Sequence, residues 1–365
     1  MALENISKEH SNFYAPRFEV EIETQKLPLE ISKHILNVEI EEKVDEGASF
    51  KFTMNDEFDL TTQEFKWLDN PIFKEGNKIT LRMGYGSDLH TMIIGKINSI
   101  ESSFFSGDIP TLTIGGQDLS ADYLKKGSPE RTFANKKYSD MARMIASEAG
   151  LDATVDDTGI SDPVVFRKKS DVTYYAFLQE IKIKAGGYQF DIVGRTMYFV
   201  KPGDDKKEIV TLELKKDLIS FRPTIKTTGL VTEVEVRSHN PKDPGNPIVG
   251  KAPTGSEKVQ EPGKKTGSQI AKERHGTVKK VITNVVAASK EEAEAVAKAE
   301  LDKASDGLVE GEGECIGLPL LRKGVNIRLE KMGKRFSGKY YVKGTTHTIN
   351  DSGYRTKFSV KRNAL

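Results

Sequence analysis

Two stretches of this 365-residue chain share one shape. Gly76 opens a run of strand, a break at Gly84-Tyr85-Gly86, strand around Gly95, turn at Gly107 and strand. Gly324 opens a run of strand, break near Gly333, strand after Gly338, turn at Gly353 and strand. Their residue identities barely match, so the shared shape alone carries the comparison, which is that of an internal repeat. Strands this short and closely spaced, punctuated by glycine, read as small barrels or sandwiches. The expectation is two β-barrels of one kind in a single chain.

The rest of the chain fills in around that pair. Phe18, Val20 and Ile22 alternate with Arg17, Glu19, Glu21 and Glu23, the period of a half-buried strand. Residues 35–40 and 49–54 repeat the habit across a turn at Gly47, and 61–68 reads as one or two helical turns. The middle changes character. Ser139 reads as the cap of a helix with Met141, Met144, Ile145 and Ala149 inward and Gly150 as its stop. Thr173 reads as the cap of a second, with Phe177, Leu178 and Ile181 on one face, and Gly186-Gly187 ends it. A hairpin follows, with Tyr188, Phe190 and Ile192 turning at Gly194-Arg195 into Met197 and Phe199.

Strands return over 209–236. Residues 240–276 then lose periodicity and gather Pro241, Pro244, Pro247, Pro253 and Pro262, which reads as an exposed, mobile excursion. Ser289 with Glu292 makes a capping box for a helix ending at Gly307. The fold class expected is mainly β with an α+β middle, the second barrel discontinuous in sequence. The boundaries are 15–120 for the first barrel, 121–205 for the α+β middle, 206–239 with 308–365 for the second barrel, and 240–307 for an inserted loop and helix.

Composition removes several classes of function. Lys and Arg total 55 against 54 Asp and Glu, so no overall field exists to hold nucleic acid or an anionic membrane. The basic stretch 264–280 reads as a solvated loop. Cys315 is the only cysteine, which excludes an intrachain disulfide and a zinc site built on several thiolates. Residues 1–11 are polar and lack the apolar core of a signal peptide, and no apolar run approaches a membrane span.

The chemistry expected is correspondingly bare. His10, His34, His90, His239, His275 and His347 form no H-E-x-x-H pair, and no G-x-S-x-G elbow is present. Cys315 reads as a small buried strand residue rather than a nucleophile. Gly311-Glu312-Gly313 with Gly317 misses the dinucleotide spacing, and Gly263-Lys264-Lys265-Thr266-Gly267-Ser268 lacks the P-loop lysine. Asp56-Glu57 and Asp156-Asp157 read as surface pairs rather than glycosidase carboxylates. Tyr174-Tyr175 and Tyr340-Tyr341 read as core and interface rings. No catalytic, cofactor-binding or metal-binding residue is assigned.

The C-terminal residues are the specific ones. Gly338-Lys339-Tyr340-Tyr341-Val342, then His347, then Gly353-Tyr354-Arg355-Thr356-Lys357-Phe358 and Arg362 resemble the closing motif of the phage late control gene D family. These are baseplate hub proteins of contractile tails, similar to the front half of the VgrG proteins of type VI secretion. Residues 171–178 followed by Gly186-Gly187-Tyr188-Gln189-Phe190 resemble the family's central helix and hairpin. Residues 289–303, with Gly313, Gly317, Pro319 and Gly324, resemble its entry into the last barrel, and Glu75-Gly76, Gly84-Tyr85, Gly95-Lys96-Ile97 and Asp118 fit its front.

The resemblance implies a structural, non-enzymatic homotrimer assembled in the bacterial cytoplasm and residing in the baseplate of a phage tail or injection particle. Two like barrels per chain would make a pseudo-sixfold ring. Its implied partners are a hexameric tail tube or tube-initiator protein, a trimeric spike and other baseplate proteins. No membrane anchor, sequence-specific nucleic acid or cofactor is implied. Fused relatives continue past this motif into a spike, so ending at Leu365 leads to the expectation of a spike on a separate polypeptide. The rival readings are a cell-wall-degrading tail enzyme and a carbohydrate-binding β protein.

Overall fold

The computed structural model describes residues 15–159, 166–203, 206–240 and 243–365. The signal-peptide reading, His10 and Pro241 lie outside these. Most of the strands join one large, mainly antiparallel sheet. Its first set is β1 (Pro16–Ile22), β2 (Ile35–Lys43), β3 (Ser49–Asn55), β4 (Lys78–Tyr85), β5 (Asp88–Ser103) and β6 (Thr111–Asp118). A middle region carries α1 (Tyr138–Glu148), β7 (Asp152–Val155), α2 (Tyr174–Lys184), β8 (Gln189–Val193) and β9 (Thr196–Val200).

The second set begins with β10 (Glu208–Glu213) and β11 (Leu218–Ile225) and is then interrupted. The interruption holds β12 (Glu233–Ser238), β13 (Ile248–Ala252), α3 (Gly267–His275), β14 (Lys279–Ile282) and α4 (Lys290–Asp306). The set resumes with β15 (Val309–Ile316), β16 (Asn326–Glu330), β17 (Gly338–Asn350) and β18 (Gly353–Arg362).

The two sets pair in the same order. The first runs β1-β4-β5-β6-β3-β2 and the second β10-β16-β17-β18-β15-β11. The registers correspond residue by residue. Phe50 faces Gly116 and Phe52 faces Ile114 in the first set; Gly311 faces Val360 and Gly313 faces Phe358 in the second. Bulges recur at matching places, at Asn98 in β5 and Lys343 in β17, and at Leu36 in β2 and Ile219 in β11. One difference is orientation, since β1 is antiparallel to β4 and β10 is parallel to β16.

Each set closes over its own apolar cluster, the first around Val38, Phe52, Leu81 and Ile114, the second around Leu212, Ile327, Tyr340 and Val360. Alternation puts every second side chain into these clusters, which is why both halves read as period-two strands. Where the first set has Phe50 and Phe52, the second has Gly311 and Gly313. A Cβ on Gly311 would meet the Phe221 ring at 2.7 Å and one on Gly313 the Phe358 ring at 2.5 Å, so ring volume comes from the neighbouring strand instead.

The sets are joined edge to edge. Residues 338–341 of β17 pair with β16, and from Gly344 onward the same edge pairs with β2, down to Asn350 opposite Asn37. Ile349 and Tyr354 bury into the first set's core.

The middle region matches its α+β expectation: α1 and α2 pack with the hairpin β8–β9 around Tyr138, Phe177 and Met197. The hydroxyl oxygen of Thr173 accepts from the Ala176 amide at 3.2 Å, the expected cap. Ser139 is not a cap: Lys137 holds that position without a side-chain bond, and Ser139 lies in the first turn, where its amide donates to the Thr158 hydroxyl at 3.3 Å. Met144, read as inward, is 40% exposed.

The interruption departs most from expectation. Residues 240–276 are not a loop throughout, because they hold β13 and α3, whose N-terminus carries a reciprocal capping box between Thr266 and Gln269. The inserted unit begins with β12, before 240, since that strand pairs with β13 and β14 in a separate three-stranded sheet and leaves the second set. Its core is Val234, Val236, Ala293, Val296 and Leu301. The basic stretch 264–280 is largely α3 and the start of β14. At α4, Ser289 accepts from the Glu292 amide at 3.1 Å as expected, but the Glu292 carboxylate takes the Ala288 amide at 2.9 Å, so the box is only half formed. Residues 61–68 form no helix; Phe58–Asp59 and Glu64–Phe65 pair as a small hairpin.

Candidate functional site

The face of the large sheet turned away from the two cores is polar across seven adjacent strands. One row runs Ser220, Glu314, Lys357, Thr346, Glu41, Ser49 and Gln117, each opposite the next across β11, β15, β18, β17, β2, β3 and β6. A second runs Arg222, Glu312, Ser359, Gly344 and Lys43. Opposite charges sit side by side: Lys51 lies 3.0 Å from Glu39, Lys43 2.8 Å from Glu41 and Lys226 3.2 Å from Glu310. Pairs this exposed add a few tenths of a kcal/mol each. What they set is character, a hydrated surface of mixed sign. An open groove of about 510 Å³ runs over it, lined by Glu41, Lys43, Arg222, Glu312, Lys357 and Ser359 among others.

Behind this face a buried polar knot ties the two sets together. Arg322 binds both carboxylate oxygens of Glu42, one through Nε at 2.5 Å, and also donates to the Met92 carbonyl at 2.6 Å. Burial disfavours the charge on Glu42, yet the Arg322 hydrogen bonds and charge outweigh it and hold its carboxyl below the usual range. Beside them, His347 Nε2 lies 3.0 Å from the Leu321 carbonyl, which can only accept, so Nε2 carries the proton. Nδ1 then accepts from the Tyr354 hydroxyl at 2.9 Å. Burial, then the nearby Arg322 charge, lower the imidazole to about 4. Tyr85 of the first set donates to the Gly317 carbonyl at 2.8 Å and packs against Tyr354. Next along, Lys323 reaches Asp191 in the middle region at 2.9 Å.

The residues weighed for chemistry have structural places. Cys315 is fully buried in β15, and burial pushes its thiol far up, which suits packing rather than attack. Asp56 accepts the Trp67 and Leu68 amides at 2.9 and 3.1 Å, and Asp156 the Lys201 amide at 3.0 Å. Gly311 and Gly313 lie within a strand, and in the second run the Lys265, Gly267 and Ser268 amides already donate to Leu365, Asn363 and Glu257, so neither glycine run offers a free phosphate cradle. Tyr174 donates to Glu148, Tyr175 to the Asp45 carbonyl at 2.8 Å, Tyr340 to the Phe336 carbonyl and Tyr341 to Gln189. Among the described residues, no three of His, Cys, Asp and Glu gather as metal ligands, and no helix is long and apolar enough to cross a membrane. Sequence reading missed the Arg322–Glu42 pair. Its partners lie 280 positions apart, and Arg322 stands in a loop with no periodicity to mark it.

The fold is similar to that of solved phage tail proteins and of a VgrG complex. The 43 kDa tail protein of prophage MuSo2 from Shewanella oneidensis superposes with a TM-score of 0.71 at 14% identity, over 95% of this chain and 98% of that one. The tail protein of Neisseria meningitidis MC58 gives 0.68 at 12% identity, over 96% and 97%. The E. coli c3393 protein, a type VI secretion component described as similar to the T4 tail proteins gp27 and gp5, gives 0.59 at 10% identity, over 95% and 77%. No protein of curated function matches the sequence. Residues 14–351 match the Alg8 N-terminal domain family, and the chain belongs to that family.

Proposed function

We propose that this protein is the structural hub of a contractile tail or injection particle, a non-enzymatic homotrimer that joins a sixfold tube to a threefold spike. The observation that carries this is the six-strand order built twice in one chain with the same registers. Two like units per chain, repeated about a threefold axis, offer six near-equivalent faces to a sixfold partner. In this reading each set curls into a small barrel, one from 15–120 and one from 206–230 with 308–365. The middle region and the inserted unit then brace the ring from outside.

The polar face becomes the wall of a hydrated central channel, where mixed charge favours passage over binding. The mechanism is assembly: the ring is a template on which tube subunits start. The solved tail proteins and VgrG complexes of this fold support the reading, and the structural places of Cys315, Asp56, Asp156 and the tyrosines support a role without catalysis.

The test is the mass of the purified chain by light scattering, with its binding to the tube and spike proteins encoded beside it. A trimer that captures both is expected. A monomer at high concentration that binds neither sinks the proposal, and clearing of peptidoglycan in a zymogram would replace it with a cell-wall-degrading enzyme.

A further inference from the structure

We propose that residues 99–103 of β5 add to the open edge of β11 in a second copy of this chain, in the register that β17 and β2 use within one copy. The inference rests on the ring reading and specifies its joint.

The two sets are alike, yet their edges are used differently. In β17 one edge is filled twice, by β16 over 338–341 and by β2 over 344–350. In β5 the corresponding edge is filled once, by β4 over 88–96, and among the described residues no strand pairs with it beyond that point. The strand matching β2 is β11, which pairs with β15 alone and ends the sheet. The molecule therefore carries both halves of a joint it has already made once. An unpaired edge of this kind is a template for another chain.

The bulges fix the register, because Asn98 matches Lys343 and Ile219 matches Leu36. Lys43 opposite Gly344 becomes Lys226 opposite Ser99. Glu41 opposite Thr346 becomes Thr224 opposite Glu101, and Val38 opposite Ile349 becomes Phe221 opposite Phe104.

The side chains suit those places. Phe104 is 57% exposed, whereas its counterpart Ile349 is 6% exposed and packed, so the joint would cover an exposed ring with Phe221. Glu101 would face Thr224 between Arg222 and Lys226, both on the same side of β11, so charge is complementary. Pro223 would oppose Ser102 without an N–H to donate. Its carbonyl still accepts, and a proline there blunts the edge against indiscriminate pairing. Such a head-to-tail contact closes into a ring when the rotation permits.

Cross-linking reads the register directly. In the full chain, Glu101→Cys combined with Thr224→Cys places thiols across the joint, both at exposed strand positions. Glu101→Cys with Ser220→Cys is the same chemistry out of register. Cys315 is fully buried and does not compete. The expected result is a trimer by light scattering and, after mild oxidation, covalent three-chain species at least ten times more abundant in the in-register pair. A trimer that cross-links equally in both variants, or in neither, overturns the strand joint and leaves the ring reading standing. A monomer in every variant and in the parent overturns both.

Discussion

Gly76 and Gly324 hold the same place in the two halves of the molecule. The Gly76 amide donates to the Ile97 carbonyl at 2.8 Å, and the Gly324 amide to the Val342 carbonyl at 2.9 Å. The return bonds match as well, from Ile97 to the Asn77 carbonyl at 3.0 Å and from Val342 to the Val325 carbonyl at 2.9 Å. Both glycines have positive φ, +88° and +81°. Each sets the chain into the strand that follows it, so one turn geometry, used twice, fixes the entry of β4 and of β16.

That geometry gives the first prediction. A Cβ at Gly76 meets nothing within 4 Å, and one at Gly324 comes no nearer than 3.7 Å to the Tyr341 hydroxyl, so neither site clashes. Any cost of Gly76→Ala or Gly324→Ala comes from the left-handed backbone, about 1–2 kcal/mol. Thermal melts should show similar losses for the two variants. A loss at one site with none at the other would contradict the equivalence.

The knot gives the second. Arg322→Ala leaves Glu42 buried without its partner, which costs about 3 kcal/mol. Replacing both, Glu42→Leu with Arg322→Met, removes the stranded charge and should recover much of that loss. Urea unfolding of the two single variants and the double variant checks it. Additive losses would mean that the two groups do not act as a pair.

Much of this was legible in the residues, for a physical reason. Strands that each bury one face announce themselves by alternation, and glycines at turns mark their ends, so the Gly76 and Gly324 runs were visible although their residues differ. What stayed hidden depended on distant partners. The strand Glu233–Ser238 alternates as well as its neighbours, and nothing local says that it pairs within the insert. The stretch 240–276 looked like loop because its prolines mask one short strand, and α3 is held by the Thr266–Gln269 cap more than by a broad apolar face. The polar face was present as every second residue of each strand, but its continuity across both sets follows from the β17–β2 joint, which no periodicity encodes.

His347 makes acid stability the third prediction. Its folded imidazole titrates near 4, against about 6.5 in the unfolded chain. Between those values the unfolded state takes up the proton first, so this residue's contribution is whole above about 6.5 and is lost as pH falls towards 4. The difference amounts to about 3 kcal/mol at the acid end. His347→Asn should be less stable at neutral pH, with a flatter fall on acidification. Unfolding curves at pH 7 and pH 4.5 for both proteins give the comparison. Equal pH slopes would show that the ring is not held neutral.

The last prediction concerns how the insert is held to the middle region. Glu292 of α4 is fully buried and accepts from the Tyr138 hydroxyl at 2.7 Å and the Ala288 amide at 2.9 Å, with Lys184 of α2 at 3.4 Å. Nearby, a Cβ on Gly187 would come within 3.3 Å of Ala299, so the helices approach closely. Glu292→Gln keeps an acceptor for Tyr138 and loses the charge beside Lys184, for about 1–2 kcal/mol. Glu292→Ala removes the acceptor of Tyr138 and Ala288 and takes the counter-charge from Lys184, whose ammonium keeps the Val286 carbonyl at 2.7 Å, for about 3 kcal/mol. If this carboxylate fastens the insert to the middle region, the alanine variant should also expose the link before α4 to limited proteolysis, while the glutamine variant stays protected. Equal protection in both, with equal melting temperatures, would place the fastening in the apolar helix contact instead.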